Sequence, residues 1–498
     1  METEKLAAQI NTHIENDRKK HSHDEVSPKH SKGKNDSNFK VVSAEHIAQV
    51  RAKRQAERKA KKEAMIARGL DPDCPPDLQF IRRPLLEVDS QCEVKGFKFK
   101  LMTYNCLAQA LIRRKLFPNS GNALKWFKRS QVLLKEFEYY SADILCLQEI
   151  DFIQYQSFWK KNLHGLGYDL QFHRHGTKNH GVTIAWKREL FSMADRMLIE
   201  YDKEASDSIE PRTTTNNVGL ILALKFSDRV TSRFPGSSSK GILVGTTHLF
   251  WHPFGTFERT RQCYVLLKKM KEFSRRVMVL QDGADRQDQK WYPFICGDFN
   301  SQPFDAPYLS MTSKPISYED RAKTVIACST SYTFSKRRNG EDCDEEEGGN
   351  IEKYGDQPAT PVPQQFDANQ EQLQLLSDME KIHNALPARA ISVYSVGYKS
   401  AHPENAGVDN KRHEPEISNW AETWRGLLDY IFFIQTWDFS DKRKPDELGN
   451  FRRENGVTIR RLLRMPPACE MPSHGQPHEG EYGSDHLAMM CELELDMH

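Results

Sequence analysis

Six short polar blocks stand at the ends of apolar runs in this chain. They are Asn105 after Lys100–Tyr104, Gln148-Glu149 after Ile144–Leu147, Thr247-His248, Gly297-Asp298-Phe299-Asn300 after Trp291–Cys296, Asp429 within Leu427–Ile431, and Ser484-Asp485-His486 before the last apolar run. A carboxylate at a strand end, such as Glu149, is desolvated on one side and calls for a cation. Magnesium suits it, because it takes few protein carboxylates, keeps waters and binds substrate phosphate with its remaining positions. Asn105 offers an amide that can coordinate the ion or orient Glu149. Asp298 can align or deprotonate a water, and Asn300 can donate to a nonbridging phosphate oxygen. His248 and His486 can donate to phosphate oxygens near neutral pH, the better if a carboxylate fixes the ring tautomer. Asp429 is an acid on an apolar strand, so it needs a partner, and His486 would supply one. Taken singly, each residue has an ordinary structural reading: a paired acid, a turn asparagine, a buried histidine. Together they predict one composite site, that of a metal-dependent nuclease.

Groups that could hold a polynucleotide lie close by in sequence. Phe250, Trp251 and Phe254 follow His248 and can stack on a base, although core or rim packing explains them equally well. Arg259 and Gln262 fall on the next helix, where Arg259 could reach a phosphate. Arg113, Arg114, Lys115, Lys125, Lys128 and Arg129 could track an RNA backbone.

These residues need a scaffold of alternating elements. Strands are expected at Phe97–Tyr104, Asp143–Leu147, Val182–Trp186, Val218–Leu224, Gly241–Thr247, Trp291–Cys296, Leu428–Ile434 and Leu487–Leu495. Helical spacing runs through Asn122–Tyr140 and Phe257–Val279. Strands recurring with helices over some hundreds of residues indicate α/β layers.

The 498 residues exceed one typical domain, and 38% hydrophobic content leaves room for segments outside a core. Residues 1–43 read as a disordered polar tail and residues 44–70 as a basic helix, capped by Ser43 and stopped by Gly69. Within that helix, Arg51 to Lys62 holds seven basic residues and one acid. A solvated charged helix is the plain reading; an RNA-phosphate arm or nuclear-localisation patch is the functional one. Residues 80–498 read as the catalytic domain, interrupted at about 337–374 by an acidic, Pro- and Gln-bearing insertion, with a shorter loop at Ser227–Lys240. The net charge of +2 argues for nothing by itself. Ten cysteines without paired spacing suggest free thiols in a reducing compartment. The acidic start lacks an apolar signal region and no run is long enough to span a membrane. An intracellular protein, cytoplasmic and/or nuclear, is expected.

The ordered blocks Met102–Leu107, Leu147–Glu149, Thr247-His248, Gly297–Asn300, Leu428–Phe432 and Ser484–His486, together with Tyr394–Ala401 and Glu416–Trp420, resemble the endonuclease/exonuclease/phosphatase superfamily. The closer resemblance is to its carbon-catabolite-repressor and nocturnin-like deadenylase branch, above all the fungal Ngl-type RNA exonucleases. It covers roughly residues 97–496. It implies a DNase I-like four-layer α/β/β/α sandwich with a disordered and basic-helical N-terminal extension. It implies Mg²⁺ (with Mn²⁺ able to substitute) and 3′-to-5′ hydrolysis of RNA to 5′-nucleotides. The implied partners are single-stranded RNA 3′ ends, either poly(A) mRNA or pre-ribosomal RNA, and no membrane. In this carry-over Glu149 is the chief metal ligand, Asn105 supports it and Asp485 lies beside the metal. Asp298 activates the water, Asn300, His248 and His486 stabilise the phosphate, and Asp429 orients His486. No leucine-rich-repeat scaffold-docking block precedes the nuclease region. Two other readings stand beside this one. The first is a phosphatase or phosphodiesterase of the same fold acting on dinucleotides or lipids. The second is a noncatalytic RNA-binding assembly factor.

Overall fold

The computed structural model describes residues 44–89, 96–282, 289–334, 357–422, 424–443 and 447–497. The described residues up to Lys61 and the body from Lys62 onward are separate units. The expected polar tail, its Ser43 cap and most of the acidic insertion fall outside the described residues. In chain order the strands are β1 Leu85–Glu87, β2 Phe97–Asn105, β3 Ile144–Asp151, β4 Tyr168–His173, β5 His180–Lys187, β6 Phe191–Glu200, β7 Val218–Phe226, β8 Ser239–His248, β9 Lys290–Asp298, β10 Arg389–Ser392, β11 Asn419–Ala421, β12 Trp424–Gly426, β13 Asp429–Gln435, β14 Val457–Leu463 and β15 Met489–Leu495. The longer helices are α1 Ala44–Ala67, α2 Trp126–Tyr140, α3 Thr256–Asp282, α4 Ala306–Thr312, α5 Asp320–Ser331, α6 Gln370–Ala385, α7 Val393–Ala401 and α8 Leu448–Asn455.

Two sheets carry the body, in the orders β1-β14-β15-β2-β3-β5-β4 and β10-β13-β9-β8-β7-β6. Successive side chains on a strand point to opposite faces, and here both faces are covered. On β2, Phe97, Phe99 and Leu101 enter the core between the sheets, while Met102 and Tyr104 face α2 on the outside. On β3, Ile144 and Cys146 go inward, and Leu145 and Leu147 go outward. Contact between the sheets is direct, as in the Phe99 and Phe294 rings, whose centroids are 6.0 Å apart. The far side of the second sheet is closed by α3 through Phe257, Val265, Met270, Phe273 and Val277, with α4, α5 and α6 adding to that layer. The result is helix, sheet, sheet, helix, the expected four-layer sandwich. Gln148 ties the sheets together, its Nε2 donating to Thr103 Oγ1 at 3.2 Å in one and Thr246 Oγ1 at 2.9 Å in the other.

Each sheet has one parallel pair at its centre, β2 with β3 and β8 with β9; the other pairings are antiparallel. Parallel neighbours bring their C-terminal ends to the same edge. That edge therefore collects Asn105, Gln148 and Glu149 from one sheet and His248 and Asp298 from the other, with His248 directly opposite Asp298. Strands β13 and β15 run antiparallel to their neighbours, so it is their starts that reach this edge: Asp429 pairs with Asp298, and Met489 with Thr103.

Some expectations need correcting. The insertion ends sooner than about 374. Asn369 caps α6 in a reciprocal capping box with Gln372, and Phe366 packs on the core. Helix α2 starts at Trp126, behind a 3₁₀ turn at Gly121–Leu124, not at Asn122. Strand β14 lies between the two strands expected to be the last. The cysteines at 106, 146, 263, 296, 328 and 491 are buried free thiols. Among the described residues no helix is long and apolar enough to cross a membrane.

Candidate active site

Strand β3 delivers Glu149 through an irregularity. The pairing with β5 shifts between Leu147 and Ile150, and Glu149 sits at φ 54°. A bulge of this kind re-aims a side chain at a strand end, and a left-handed glutamate carries strain that the surrounding ladder must hold. Gly297 shapes the opposite side. At φ +147° a Cβ there would lie 2.2 Å from Thr247 O, so only glycine lets β9 run this close to β8. Asn300 follows at φ 46°.

The contacts then form one connected set. Asn105 Nδ2 donates to Glu149 Oε1 at 2.8 Å and to Asp298 Oδ2 at 3.0 Å. Its oxygen accepts from Leu107 N–H at 3.0 Å. Of the two roles open to Asn105, orienting the carboxylates is the one this geometry gives; its oxygen faces away from them. Ala108 N–H donates to Glu149 Oε2 at 2.9 Å. The Nε2 atoms of His248 and His486 each lie 3.6 Å from Asp298 Oδ2. His486 Nδ1 is 2.8 Å from Asp429 Oδ2, which also accepts from Ser418 Oγ at 2.7 Å. Asn300 N–H donates to Asp298 Oδ1, and Asn300 Nδ2 to Leu249 O, both at 2.9 Å. Asp298 and Asp429 are buried, whereas Glu149 and His248 reach the surface with side chains 11% and 14% exposed. Glu149 and His248 are therefore the members of the set that solvent reaches.

Burial alone would raise the Glu149 pKa, but His248, His180, Asn105 and the Ala108 N–H outweigh it and hold the carboxyl below its ordinary range. Burial pushes Asp485 up to about 6, with Glu149's charge adding to the effect. It also pushes Asp429 up, against the pull of His486. Burial works to lower His486, but Asp429 and Asp298 overcome it and hold the ring well above the ordinary histidine range. The Nδ1 side of His486 is thus occupied by Asp429, and its Nε2 faces Asp298.

Glu149, His248 and Asp298 each offer a ligand atom within 4.8 Å of the others, as do Asp298, Asp429 and His486. The carboxylates of Glu149 and Asp298, with Asp485 near enough to feel the charge of Glu149, fit a hard divalent cation.

The other expected substrate groups fare differently. Arg259 is buried, not a phosphate contact. Its guanidinium donates to Phe250 O at 2.9 Å, His252 O at 2.7 Å, Ser301 Oγ at 3.1 Å and Thr256 Oγ1 at 3.1 Å. It clamps the loop after β8. Phe250 is buried and cannot stack on a base, nor can Phe254. Trp251 is half-buried and remains available. Arg129 is also buried, donating to the carbonyls of Cys106, Leu107 and Gly483, while Arg114, Lys115 and Lys125 are exposed. The residue reading missed Asn217, which holds His248 O at 3.0 Å, and Ser418, which fixes Asp429. It also missed His180 and Asp151, opposite each other at the start of β5 and the end of β3. The block ending at Trp420 marked the position of Ser418. Trp424 was missed as well: it is 68% exposed on the β11–β12 hairpin, whose Trp420 N–H donates to Asp485 O at 2.8 Å.

Residues 102–486 match the model of the Endonuclease/Exonuclease/phosphatase family. The chain belongs to this family. Its members hydrolyse phosphate esters, and the chain is an enzyme of that kind. It is 63% identical to "RNA exonuclease NGL2" of Saccharomyces cerevisiae, over 98% of this chain and 96% of the relative. It is 41% identical to "Probable RNA exonuclease NGL3" of the same yeast, over 91% and 90%. Among solved structures it resembles ANGEL2, described as a 2′,3′-cyclic phosphatase, with a TM-score of 0.53 and 21% identity, covering 84% of this chain and 99% of that one. That likeness is one of fold.

Proposed function

We propose that this chain is a Mg²⁺-dependent RNA exonuclease. It removes 5′-nucleotides from the 3′ end of single-stranded RNA, taking poly(A) tails or the 3′ ends of ribosomal RNA precursors. The observation that carries the chemistry is the connected set from Asp429 through His486, Asp298 and Asn105 to Glu149. A noncatalytic binding factor has no use for it. The relative named as an RNA exonuclease, at 63% identity, supports RNA as the polymer.

Glu149 would hold the ion, with Asp485 beside it. When bound, the ion supplies positive charge against the phosphate oxygens. Asp298 Oδ2 takes the proton of the attacking water. His486 and His248, whose Nε2 atoms face that oxygen, donate to nonbridging oxygens as charge builds there. Asn300, fixed through Leu249 O, borders the same space. Asn105 keeps both carboxylates in register. The P–O3′ bond breaks, O3′ stays on the shortened RNA and takes a proton from solvent to become its new 3′-hydroxyl, and the phosphate leaves on the terminal nucleotide. Trp251 supports base stacking at the rim.

The test uses purified protein, Mg²⁺ and three 5′-labelled RNAs: one with an A-tail, one with a mixed 3′ end and one ending in a 2′,3′-cyclic phosphate. Stepwise shortening that is lost with chelator and in Glu149→Gln is the expected result. Shortening of the A-tail alone identifies a deadenylase, and shortening of both linear RNAs a general 3′ trimmer. Loss of the cyclic end without shortening of any RNA overturns the exonuclease reading in favour of a phosphatase.

A further inference from the structure

The loop leading into Ser484-Asp485-His486 holds a second cluster of metal-binding atoms. His474, His478 and Glu481 follow one another with three and two residues between them. His474 Nε2 is 3.3 Å from Glu481 Oε2, and His478 Nδ1 is 4.0 Å from Glu481 Oε1. The imidazole centroids stand 4.0 Å apart. One ligand atom from each residue lies within 4.8 Å of the others. At Zn–N and Zn–O lengths of about 2.0–2.1 Å, neighbouring ligands of a tetrahedral ion are roughly 3.4 Å apart. The His474–Glu481 distance already has that value. His478 needs a small approach, giving up a long contact of Nδ1 with Glu479 O at 3.3 Å.

We propose that His474, His478 and Glu481 form a second metal site, for a transition ion of the Zn²⁺ class, that pins the loop carrying Asp485 and His486. The two rings and the carboxylate converge on one point, where a cation can take a nitrogen from each imidazole and an oxygen from Glu481. Two nitrogen donors and one oxygen select Zn²⁺, Co²⁺ or Ni²⁺ over Mg²⁺, which takes oxygen ligands. Three protein ligands leave a fourth position for water.

The surroundings fit the assignment. Gln476 Nε2 donates to Glu481 Oε2 at 2.8 Å, orienting the carboxylate as the supporting shell of a metal site does. The ring positions are half-exposed, with side chains 31% and 35% open, so an ion has access. Both ends of the loop are anchored. Gln476 N–H donates to Trp420 O at 2.8 Å, and Glu481 O accepts from Ile81 N at 2.9 Å. An ion would therefore stiffen the span that enters the catalytic edge.

The test is metal binding by the full-length chain, stripped with chelator and then held in excess Mg²⁺ so that the oxygen-rich site of Glu149 is occupied. Zn²⁺ is titrated for stoichiometry and melting temperature, and Co²⁺ for its visible absorption. The expected result is one tight equivalent, a Co²⁺ spectrum of low coordination number and a raised melting temperature. All three should be retained in Glu149→Gln and weakened roughly 10–100-fold or more in His474→Ala/His478→Ala. Glu481→Gln keeps an acceptor for Gln476 and so the loop; it should also weaken binding and serves if the double variant does not fold. No tight equivalent, an equivalent retained in the His474/His478/Glu481 variants, or one lost in Glu149→Gln overturns the proposal.

Discussion

The division of labour among single residues is set by which atoms remain available once the fold is made. Asp429 is the clearest case. Its Oδ2 accepts from both Ser418 and His486, so it cannot also attack or bind substrate; it positions His486. Asp429→Asn keeps the volume and removes the charge that raises the His486 pKa. The expected outcome is a fall in kcat of roughly 10²-fold or more, with KM for RNA little changed. The pH profile should also shift so that the His486 donor titrates at lower pH. An unchanged rate with an unchanged pH profile refutes the pairing. Arg259 is the opposite case. Sequence position suggested a phosphate ligand, but its donors turn inward to the loop after β8. Arg259→Lys cannot reproduce that fork. It should cost stability on the order of 2–4 kcal/mol, measured by denaturant unfolding, with salt dependence of RNA binding unaltered.

At the scale of elements, two parallel strand pairs do most of the positioning, and Gly297 is where that arrangement is tightest. Gly297→Ala places a Cβ against Thr247 O and forces a φ that alanine avoids. The variant is expected to lose most of its metal-dependent activity, because β8 and β9 separate at the point where His248 faces Asp298. A crystal structure of the variant with His248–Asp298 spacing unchanged would refute this. The elements that could be read from sequence were those with apolar faces on both sides, such as β2, β3, β8 and β9, whose ends carry the site. The strands that escaped have mixed exteriors. Edge strand β6 carries polar residues on both faces, Asp195 bonded to Arg276 and Arg196 to Gln171. In β14, Arg460 and Arg461 break the apolar run and are matched by Glu494 and Glu492 on β15, a cross-strand pattern visible only after pairing. The capping box of Asn369 and Gln372 was legible in principle, yet it sits in a Gln-rich stretch that reads as low complexity. Among site residues, those with a distinctive neighbour were found. Ser418, Asn217 and His180 act on the site through hydrogen bonds or charge from positions with no local signature.

At the scale of the whole body, stability and substrate capture answer to different parts of the chain. Glu136 and Glu414 are buried, and burial pushes each from an ordinary value of 4.5 up to about 7. A raised carboxyl pKa favours the folded state while the group is protonated. The contribution is complete below about 4.5 and is lost as pH rises through 7. The maximum is on the order of 3 kcal/mol per group. Stability should therefore decline between about pH 4.5 and 7, and Glu136→Gln and Glu414→Gln should each flatten that slope in urea melts; an unaltered slope removes these groups as its cause.

For the proposed RNA substrate, α1 is the element expected to add to capture. Its residues Arg51 to Lys61 are solvent-exposed, and six of the residues from 51 to 61 are basic. A helix with so few large apolar groups gains little by burying a face, whereas each phosphate neutralised by a Lys or Arg releases a counterion and gives binding a salt dependence. Residues 1–61 form a unit separate from the body that begins at Lys62, so their deletion leaves every strand of the sandwich in place. Deleting them should raise the RNA dissociation constant and lower the slope of log K against log salt by about 1–3, with the melting temperature and the turnover of a trinucleotide unchanged. A slope equal to that of the intact chain would show that the arm takes no part in holding RNA, and would leave capture to Arg114, Lys115, Lys125 and the aromatic rim.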